Sequence, residues 1–316
     1  QGIGYLDGDQ VLMSSKALIA VFVLSPAVIL FSCDKRPEFN GERAYSDLLM
    51  QCSFGPRVAN TESHAEAGEF LYNSLKKTTD LCRIQKFAIY DSVAGLERSM
   101  FNIIASYYPG SEKRIMLCAH WDSRPISDED PDSSNFGLPV PGANDGASGT
   151  AVLLEMGRLL KDHRPPLGVD IVLFDGEDYG TDDWQGGWFM GSKYFVGSLQ
   201  GYRPRLAILV DLVGDSDLQI YREAISQQYA GDLNDYIWNV AGEIGIDVFI
   251  DSVKYTVLDD HVPLLSGGIK AVDIIDFDYP YWHTQEDTPD KCSAESLAKV
   301  GKVVVAAIFD KRIKRF

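Results

Sequence analysis

Beyond residue 40, the chain alternates between amphipathic segments with helical periodicity and short apolar runs typical of strands. Several of the apolar runs are nearly continuous, as expected for strands that are buried on both faces of a sheet. Helices are predicted at 42–51, 62–78, 148–162, 188–197, 229–244, just after Asp260 and at 293–314. Strands are predicted at 84–91, 102–108, 114–119, 169–174, 205–211 and 270–275.

This alternation predicts the fold class. Strands that alternate with helices are typical of an α/β domain with a mostly parallel, mixed central sheet flanked by helices. With 316 residues and 45% hydrophobic content, the chain is long enough to bury one large core. No internal repeat or long linker divides it, so we expect a single domain over 41–316.

The amino-terminal segment has the pattern of an export signal. Residues 17–31 are almost wholly apolar, form a stretch that is short for a membrane span, and follow a single positive charge at Lys16. Met13 is the expected start of translation, with residues 1–12 lying upstream of it.

This segment closes on Leu30-Phe31-Ser32-Cys33, which resembles a bacterial lipobox. We expect 1–33 to be a leader with a lipoprotein signal peptide and 34–40 to be a tether. Cys33 would then carry the lipid, and the protein would be exported in a bacterium, either periplasmic or membrane-anchored. An ordinary secretory peptide with an incidental cysteine is the alternative.

Composition narrows the classes of partner. The chain has 29 Lys and Arg against 46 Asp and Glu, a net charge of −17, so it offers no basic stripe for nucleic acid. The remaining cysteines are sparse and form no CxxC pair, which leaves both one or two disulfides and four buried thiols open. These cysteines are Cys52, Cys82, Cys118 and Cys292.

The acid pair Glu177-Asp178 comes just past the predicted strand 169–174. Open α/β sheets carry their sites at the carboxyl ends of their strands. Neighbouring acids repel each other unless a cation holds them, so the pair predicts a metal, with one acid as ligand and the other free to move protons. A solvated turn at Asp175-Gly176 is the alternative.

The loops after the other strands carry further polar candidates. Alone, Asp145 is as consistent with a helix cap as with a metal ligand, and any single histidine with a core position. However, three of the five histidines fall at these loop positions. The candidates are His120, Asp122, Asp145, Asp211, Asp260, His261 and the pair Trp282-His283.

Taken together and in this order, these motifs resemble the zinc-dependent M28-type aminopeptidase superfamily, from about residue 40 to the carboxyl terminus. Within it, three segments are most similar to the glutaminyl cyclases of animals and some bacteria. They are Phe174–Asp178, Leu258–Leu264 and the pair Trp282-His283. The resemblance implies a zinc aminopeptidase-like α/β domain over 41–316.

The resemblance also implies a reaction. A glutaminyl cyclase closes the N-terminal glutamine of a peptide or protein to pyroglutamate and releases ammonia. One Zn²⁺ would be bound by Asp145, Asp178 and His283, with an open position left for substrate. Glu177 would carry the proton from the attacking amine to the departing ammonia.

Other residues receive supporting roles from the same resemblance. Asp259 would steady the proton transfer, and Asp211 would share its hydrogen-bond network. Trp282 and Trp184 would form the apolar wall of the glutamine pocket. We expect a monomer whose partners are peptides with N-terminal Gln, and which touches a membrane only through Cys33. Second-shell or second-metal candidates are His120, Asp122, His261 and Asp273.

Two positions depart from the animal pattern. Asp178 stands where those enzymes carry Glu, so its shorter side chain must bring the backbone closer to the metal or change how the carboxylate binds. Asp273 stands where they carry His, which should alter the charge of the network and shift the pH optimum.

Two alternative functions use the same residues. In a di-zinc aminopeptidase, His120 and Asp211 would hold a second ion, Asp145 would bridge both ions, and Glu177 would activate a water molecule. A binding lipoprotein on a retired enzyme fold is a third interpretation, which the intact Glu177 and ligand set disfavour.

Overall fold

A computed structural model describes residues 36–79, 81–181, 187–201 and 203–316. The helices are α1 (Gly41–Ser53), α2 (Glu62–Lys76), α3 (Ala147–Asp162), α4 (Met190–Gly197), α5 (Ala224–Glu243), α6 (His261–Ser266) and α7 (Ala294–Phe309). The strands are β1 (Cys82–Asp91), β2 (Leu96–Tyr107), β3 (Arg114–His120), β4 (Gly168–Phe174), β5 (Leu206–Asp211), β6 (Ile220–Glu223), β7 (Phe249–Tyr255) and β8 (Lys270–Ile275).

The central sheet has the strand order β1-β2-β4-β3-β5-β8. Strands β4, β3, β5 and β8 run parallel, while β1 and β2 form an antiparallel edge that pairs with β4. Every residue of β3, β4 and β5 is buried, as their apolar runs predicted. The predicted α/β class, with a mixed and mostly parallel sheet, is therefore confirmed.

Helices cover both faces of this sheet because alternate side chains of each central strand point to opposite sides. In β3, Ile115 and Leu117 enter the core formed with α1, α2, α3, α5 and α7. Met116 and Cys118 enter a smaller core formed with α4 and α6. Each fully buried aliphatic side chain of this kind contributes about 1.5–3 kcal/mol to the free energy of folding.

Three boundaries differ most from the predicted ones. The strand predicted at 102–108 begins at Leu96, because a tight turn pairs that residue with Asp91. The helix predicted at 229–244 begins at Ala224, because the Glu223 carboxylate accepts hydrogen bonds from two amides of the first turn at 2.7 and 2.6 Å. The helix predicted to reach 314 ends at Phe309 and is followed by a separate 3-10 turn.

The short parallel pair β6 and β7 escaped prediction. Strand β7 is mostly exposed and polar, so its sequence lacks the apolar run by which the central strands were found.

The four cysteines of the described chain are free thiols. Among the described residues, none of the helices combines the length and apolarity needed to cross a membrane.

Candidate active site

The acid pair lies where the sequence predicted, just past β4. Gly176 turns the chain with a φ of 71°, which favours glycine. The amides of Glu177 and Asp178 then donate to the two carboxylate oxygens of Asp122, at 3.2 and 3.3 Å. Asp122, which follows β3, therefore fixes the backbone of the pair and acts on the site through it.

The three predicted zinc ligands come together beside this turn. Their donor atoms all lie within 4.8 Å of one another. Nε2 of His283 is 3.2 Å from Oδ1 of Asp178 and 3.6 Å from Oδ2 of Asp145. Each of the three residues is at most 3% exposed, and Oδ2 of Asp178 has no hydrogen-bond partner within the described chain. Two carboxylates and one imidazole fit a catalytic zinc site with an open position.

A second donor cluster shares Asp145 with the first. Nε2 of His120 lies 3.1 Å from Oδ1 of Asp145 and 3.1 Å from Oδ1 of Asp211. These three donors also lie within 4.8 Å of one another. The geometry therefore brings together the ligand sets of both the one-zinc and the two-zinc interpretations.

Burial and charge interactions give the three residues of the first cluster different pKa values. The neighbouring His283 lowers the pKa of Asp178 to about 2, although burial opposes this. Burial and the Asp178 carboxylate raise the pKa of Asp145 to about 7. Burial would lower the pKa of His283, but the carboxylates around it outweigh this and raise the pKa to about 9. These shifts arise because carboxylates are crowded together in a dry environment, where a bound cation is strongly favoured.

Glu177 lies in neither ligand cluster among the described residues. Its Oε2 is 3.9 Å from Nδ1 of His120. Burial raises the pKa of the Glu177 carboxyl well above its ordinary value, and the Asp178 carboxylate adds to this rise. A buried carboxyl group with a raised pKa is suited to proton transfer near neutral pH.

Sequence reasoning missed Asp128, which supports His283 from behind. Its Oδ1 is 3.5 Å from Nδ1 of His283, on the ring edge away from Asp178. Arg124 holds Asp128 through Nε at 2.7 Å and donates to the carbonyl oxygen of Asp178 at 3.2 Å. A carboxylate behind a ligand histidine fixes its ring and raises its basicity. The only signal in the sequence was an acid in the loop after β3.

A further buried cluster joins Asp259, His261 and Asp273, whose donor atoms also lie within 4.8 Å of one another. His261 is 3.3 Å from Glu223 through Nε2 and 3.6 Å from Asp273 through Nδ1. Burial raises the pKa of Asp259 and of Asp273 well above the usual range, and nearby acids add to both. Glu223 was missed because it ends β6, the strand that the sequence did not reveal.

A cavity of about 460 Å³ opens onto Glu177, the three candidate ligands and Asp259. Its remaining wall is largely apolar. The Trp282 ring stacks on the His283 ring with centroids 3.7 Å apart and planes at 24°. Trp184 lies outside the described residues, so its predicted place in this wall stays a prediction. Other wall residues, which the sequence did not single out, are Trp188, Leu212, Val257, Ile275 and Phe277.

Three non-glycine residues of this wall have left-handed backbones. They are Phe189, Leu212 and His283, with φ of 56°, 49° and 56°. Residues other than glycine rarely adopt this backbone conformation, and each instance costs on the order of 1–3 kcal/mol. Such strain is concentrated at functional sites, where the surrounding structure fixes side-chain direction at the expense of local stability.

The chain is similar in sequence and fold to several known proteins. The sequence profile described as Peptidase family M28 matches residues 102–308. The Bacteroides thetaiotaomicron glutaminyl cyclase bound to N-acetylhistamine is 38% identical, with 87% of this chain and 99% of that chain covered and a TM-score of 0.84. A leucine aminopeptidase precursor structure from Bacteroides thetaiotaomicron VPI-5482 has the same identity, coverage and TM-score.

Among curated proteins, aminopeptidase YwaD of Bacillus subtilis is 29% identical over 243 residues. The match covers 72% of this chain and 48% of that protein, so the chain spans about half the length of this relative. Similarity alone therefore points to both cyclases and aminopeptidases, and the residues of the cavity have to separate the two activities.

Proposed function

We propose that this chain, which belongs to peptidase family M28, is a glutaminyl-peptide cyclotransferase. The reaction forms a bond between the α-amine nitrogen of an N-terminal glutamine and its own side-chain amide carbon. The bond from that carbon to the amide nitrogen breaks, one proton passes from the attacking amine to the leaving group, and ammonia departs. Both reacting groups belong to one residue, so the enzyme mainly has to hold a bent conformer and move protons.

The observation that carries this proposal is the indole of Trp282 stacked on the candidate ligand His283, in the cavity that Glu177 and Asp259 also line. This arrangement narrows the space beside the metal donors with a flat apolar wall. A flat wall suits the methylene groups and planar amide of a glutamine side chain.

We assign the metal to Asp145, Asp178 and His283. When bound, zinc supplies a Lewis acid that polarises the side-chain carbonyl of the substrate glutamine. Asp122 keeps Asp178 in place by accepting from the backbone amide of Asp178. Asp128 orients the ring of His283.

Glu177 is assigned as the proton carrier. Its raised pKa allows it to accept a proton from the attacking α-amine and to hold that proton until the leaving amine takes it. Asp259 faces the same cavity and is assigned to hold the leaving amide, while Asp211 supports the network through His120. His261 and Asp273 lie behind Asp259 and set the charge around it.

We further propose that residues 1–33, which lie outside the described residues, are a leader with a lipid-modified Cys33, that 34–40 is a tether, and that 41–316 is the catalytic domain of an exported monomer. Labelled fatty acid recovered on Cys33 would support this, and a mature amino terminus elsewhere would rule out the lipid anchor.

The activity is tested by incubating the purified protein with one peptide that begins with Gln and another that begins with Leu. We expect ammonia and pyroglutamate from the first peptide and no change in the second. Release of free leucine without pyroglutamate would overturn the proposal.

The second candidate is a di-zinc aminopeptidase, favoured by the cluster of His120, Asp145 and Asp211. In that case the second cluster would hold its own ion. Zinc content separates the two functions, since about one ion per chain fits the cyclase and about two fit the peptidase.

A further inference from the structure

An apolar groove continues from the mouth of the active cavity. Phe189, Lys193 and Leu258 line both, so the two spaces share one wall. The groove measures about 520 Å³. It runs between the end of α4 and helix α6, and Leu258 at its edge is 65% exposed. Its remaining apolar lining includes Val196, Val262 and Pro263.

We infer that this groove binds the side chain of the residue that follows the N-terminal glutamine, and that it selects apolar side chains there. The inference rests on the proposed cyclase function and names a substrate class within it. The occupant is the substrate peptide itself, because the groove is continuous with the cavity in which its first residue reacts.

The direction of the substrate chain follows from the cavity. The glutamine amine must approach Glu177 and its side chain the candidate ligands, so the rest of the peptide leaves through the mouth. An extended peptide advances roughly 3.3 Å per residue, and we place its second residue at the wall that the cavity and the groove share, formed by Phe189 and Leu258.

The groove is rigidly tied to the catalytic residues. The amide of Phe189 donates to the carbonyl oxygen of Glu177 at 3.0 Å, while Phe189 itself holds the unfavourable φ of 56°. At the other end, a Cβ on Gly267 would lie 2.5 Å from Cγ1 of Val196, so only glycine allows this close packing of α4 against α6. A preformed wall lowers the ordering cost of binding an apolar side chain.

Lys193 contributes a polar group to an otherwise apolar wall. Its ammonium donates to the carbonyl oxygen of Trp188 at 2.7 Å and lies 5.5 Å from the centroid of the Phe189 ring. We assign its remaining donors to a backbone carbonyl of the bound peptide. An enzyme that instead preferred an acidic second residue would contradict the apolar assignment.

The test compares Gln-Leu-Gly, Gln-Gly-Gly and Gln-Asp-Gly as substrates of the full chain. We expect kcat/KM for Gln-Leu-Gly to exceed that for Gln-Gly-Gly by roughly tenfold or more, as an apolar pocket typically discriminates. Equal values for the leucine and glycine peptides, or the highest value for the aspartate peptide, would overturn the inference.

Variants place the preference in the groove. Val196→Asp puts a charge into it and Ser266→Trp fills it from an exposed position, so both should cut the leucine-to-glycine ratio roughly tenfold. Val253→Asp is the matched control, because this half-exposed valine lies on β7 outside the groove. An unchanged ratio in both groove variants, or an equal loss in the control, would reject the site.

Failure of the proposed function gives a different result. If none of the peptides releases ammonia, the cyclase assignment fails, and the groove is judged by calorimetric affinity alone. Tighter binding of Gln-Leu-Gly than of Gln-Gly-Gly, lost in Ser266→Trp, would still support the groove. Equal affinities for the two peptides would reject it.

Discussion

Strand β4 carries acids at both of its ends, and the two ends are built differently. Near its start, Asp170 is paired with Arg114, which donates from Nε at 2.8 Å and from Nη2 at 2.7 Å. Past its other end, Asp178 is 3.8 Å from Arg124 but lies among further buried acids, including Asp145 and Glu177. We call the buried acids Asp145, Glu177 and Asp178 the reactive edge. An acid that supports the fold is paired with a fixed guanidinium, whereas the acids of the reactive edge are left to partners that can be exchanged, a metal ion or a proton.

The largest expected effect separates the two acids of the edge. Asp178→Ala should lose zinc and activity together, because it removes a ligand. Glu177→Gln should keep zinc and substrate affinity but lower kcat by about 10²–10⁴-fold, because only proton transfer is removed. Metal analysis together with steady-state kinetics distinguishes the two variants. Equal loss of zinc in both would break the division of roles.

The opposite end of β4 should respond in stability rather than in activity. Arg114→Met removes the guanidinium from the buried Asp170 and should lower the free energy of unfolding by about 3–5 kcal/mol. Zinc content should not change in the folded fraction. Arg312→Met is the control, because its pair with Glu243 is about half exposed and should contribute at most about 1 kcal/mol. Urea denaturation gives both values, and similar losses in the two variants would contradict the comparison.

Asp128 tests how far the reactive edge extends. Because its carboxylate supports His283, Asp128→Asn should weaken zinc binding by about 10–100-fold without removing a ligand. Asp132→Asn, an exposed change in the same loop, serves as the control. Competition with a chromogenic chelator measures both affinities, and unchanged affinity in Asp128→Asn would show that His283 is held by other contacts.

The smallest effect concerns Asp175, which directly follows β4 and is paired with His64. His64 donates to its carboxylate at 2.9 Å, and this charge raises the pKa of His64 although burial opposes the rise. A raised folded pKa means that the stabilisation is fully present below the unfolded value of about 6.5 and is lost as the pH rises through the folded pKa. The melting temperature of wild type should therefore exceed that of His64→Gln most at acidic pH. A difference that grows with pH would contradict this pairing.

The sequence could predict the residues that lie next to recognisable strands and helices, but not those placed by irregular segments. The cluster of Asp145, Asp178 and His283 could be predicted because each residue follows a recognisable strand or precedes a helix, and because their order resembles a known family. Asp128 and Glu223 were missed because their partners are set by the path of a long loop and by a short polar strand. Neither feature leaves a periodic pattern in the chain.

Two of the residues predicted to support the ligands or to hold a second metal contact the acids past β4. His120 lies beside Asp145, and Asp122 accepts from the amides of the acid pair. The left-handed backbones of Phe189 and Leu212 could not be foreseen, since a bulky residue gives no sign of positive φ. Three-dimensional packing imposes that conformation, and local propensity opposes it.

The strand order has a consequence for how the protein is made. Asp145 and Asp178 follow the adjacent strands β3 and β4, but His283 follows β8, which joins the sheet only by pairing with β5. Non-local parallel pairings of this kind form slowly, because loop closure precedes the contacts that reward it. A newly made chain would therefore acquire the third proposed metal ligand late, and zinc retention during refolding would report the docking of the last strand rather than the first collapse.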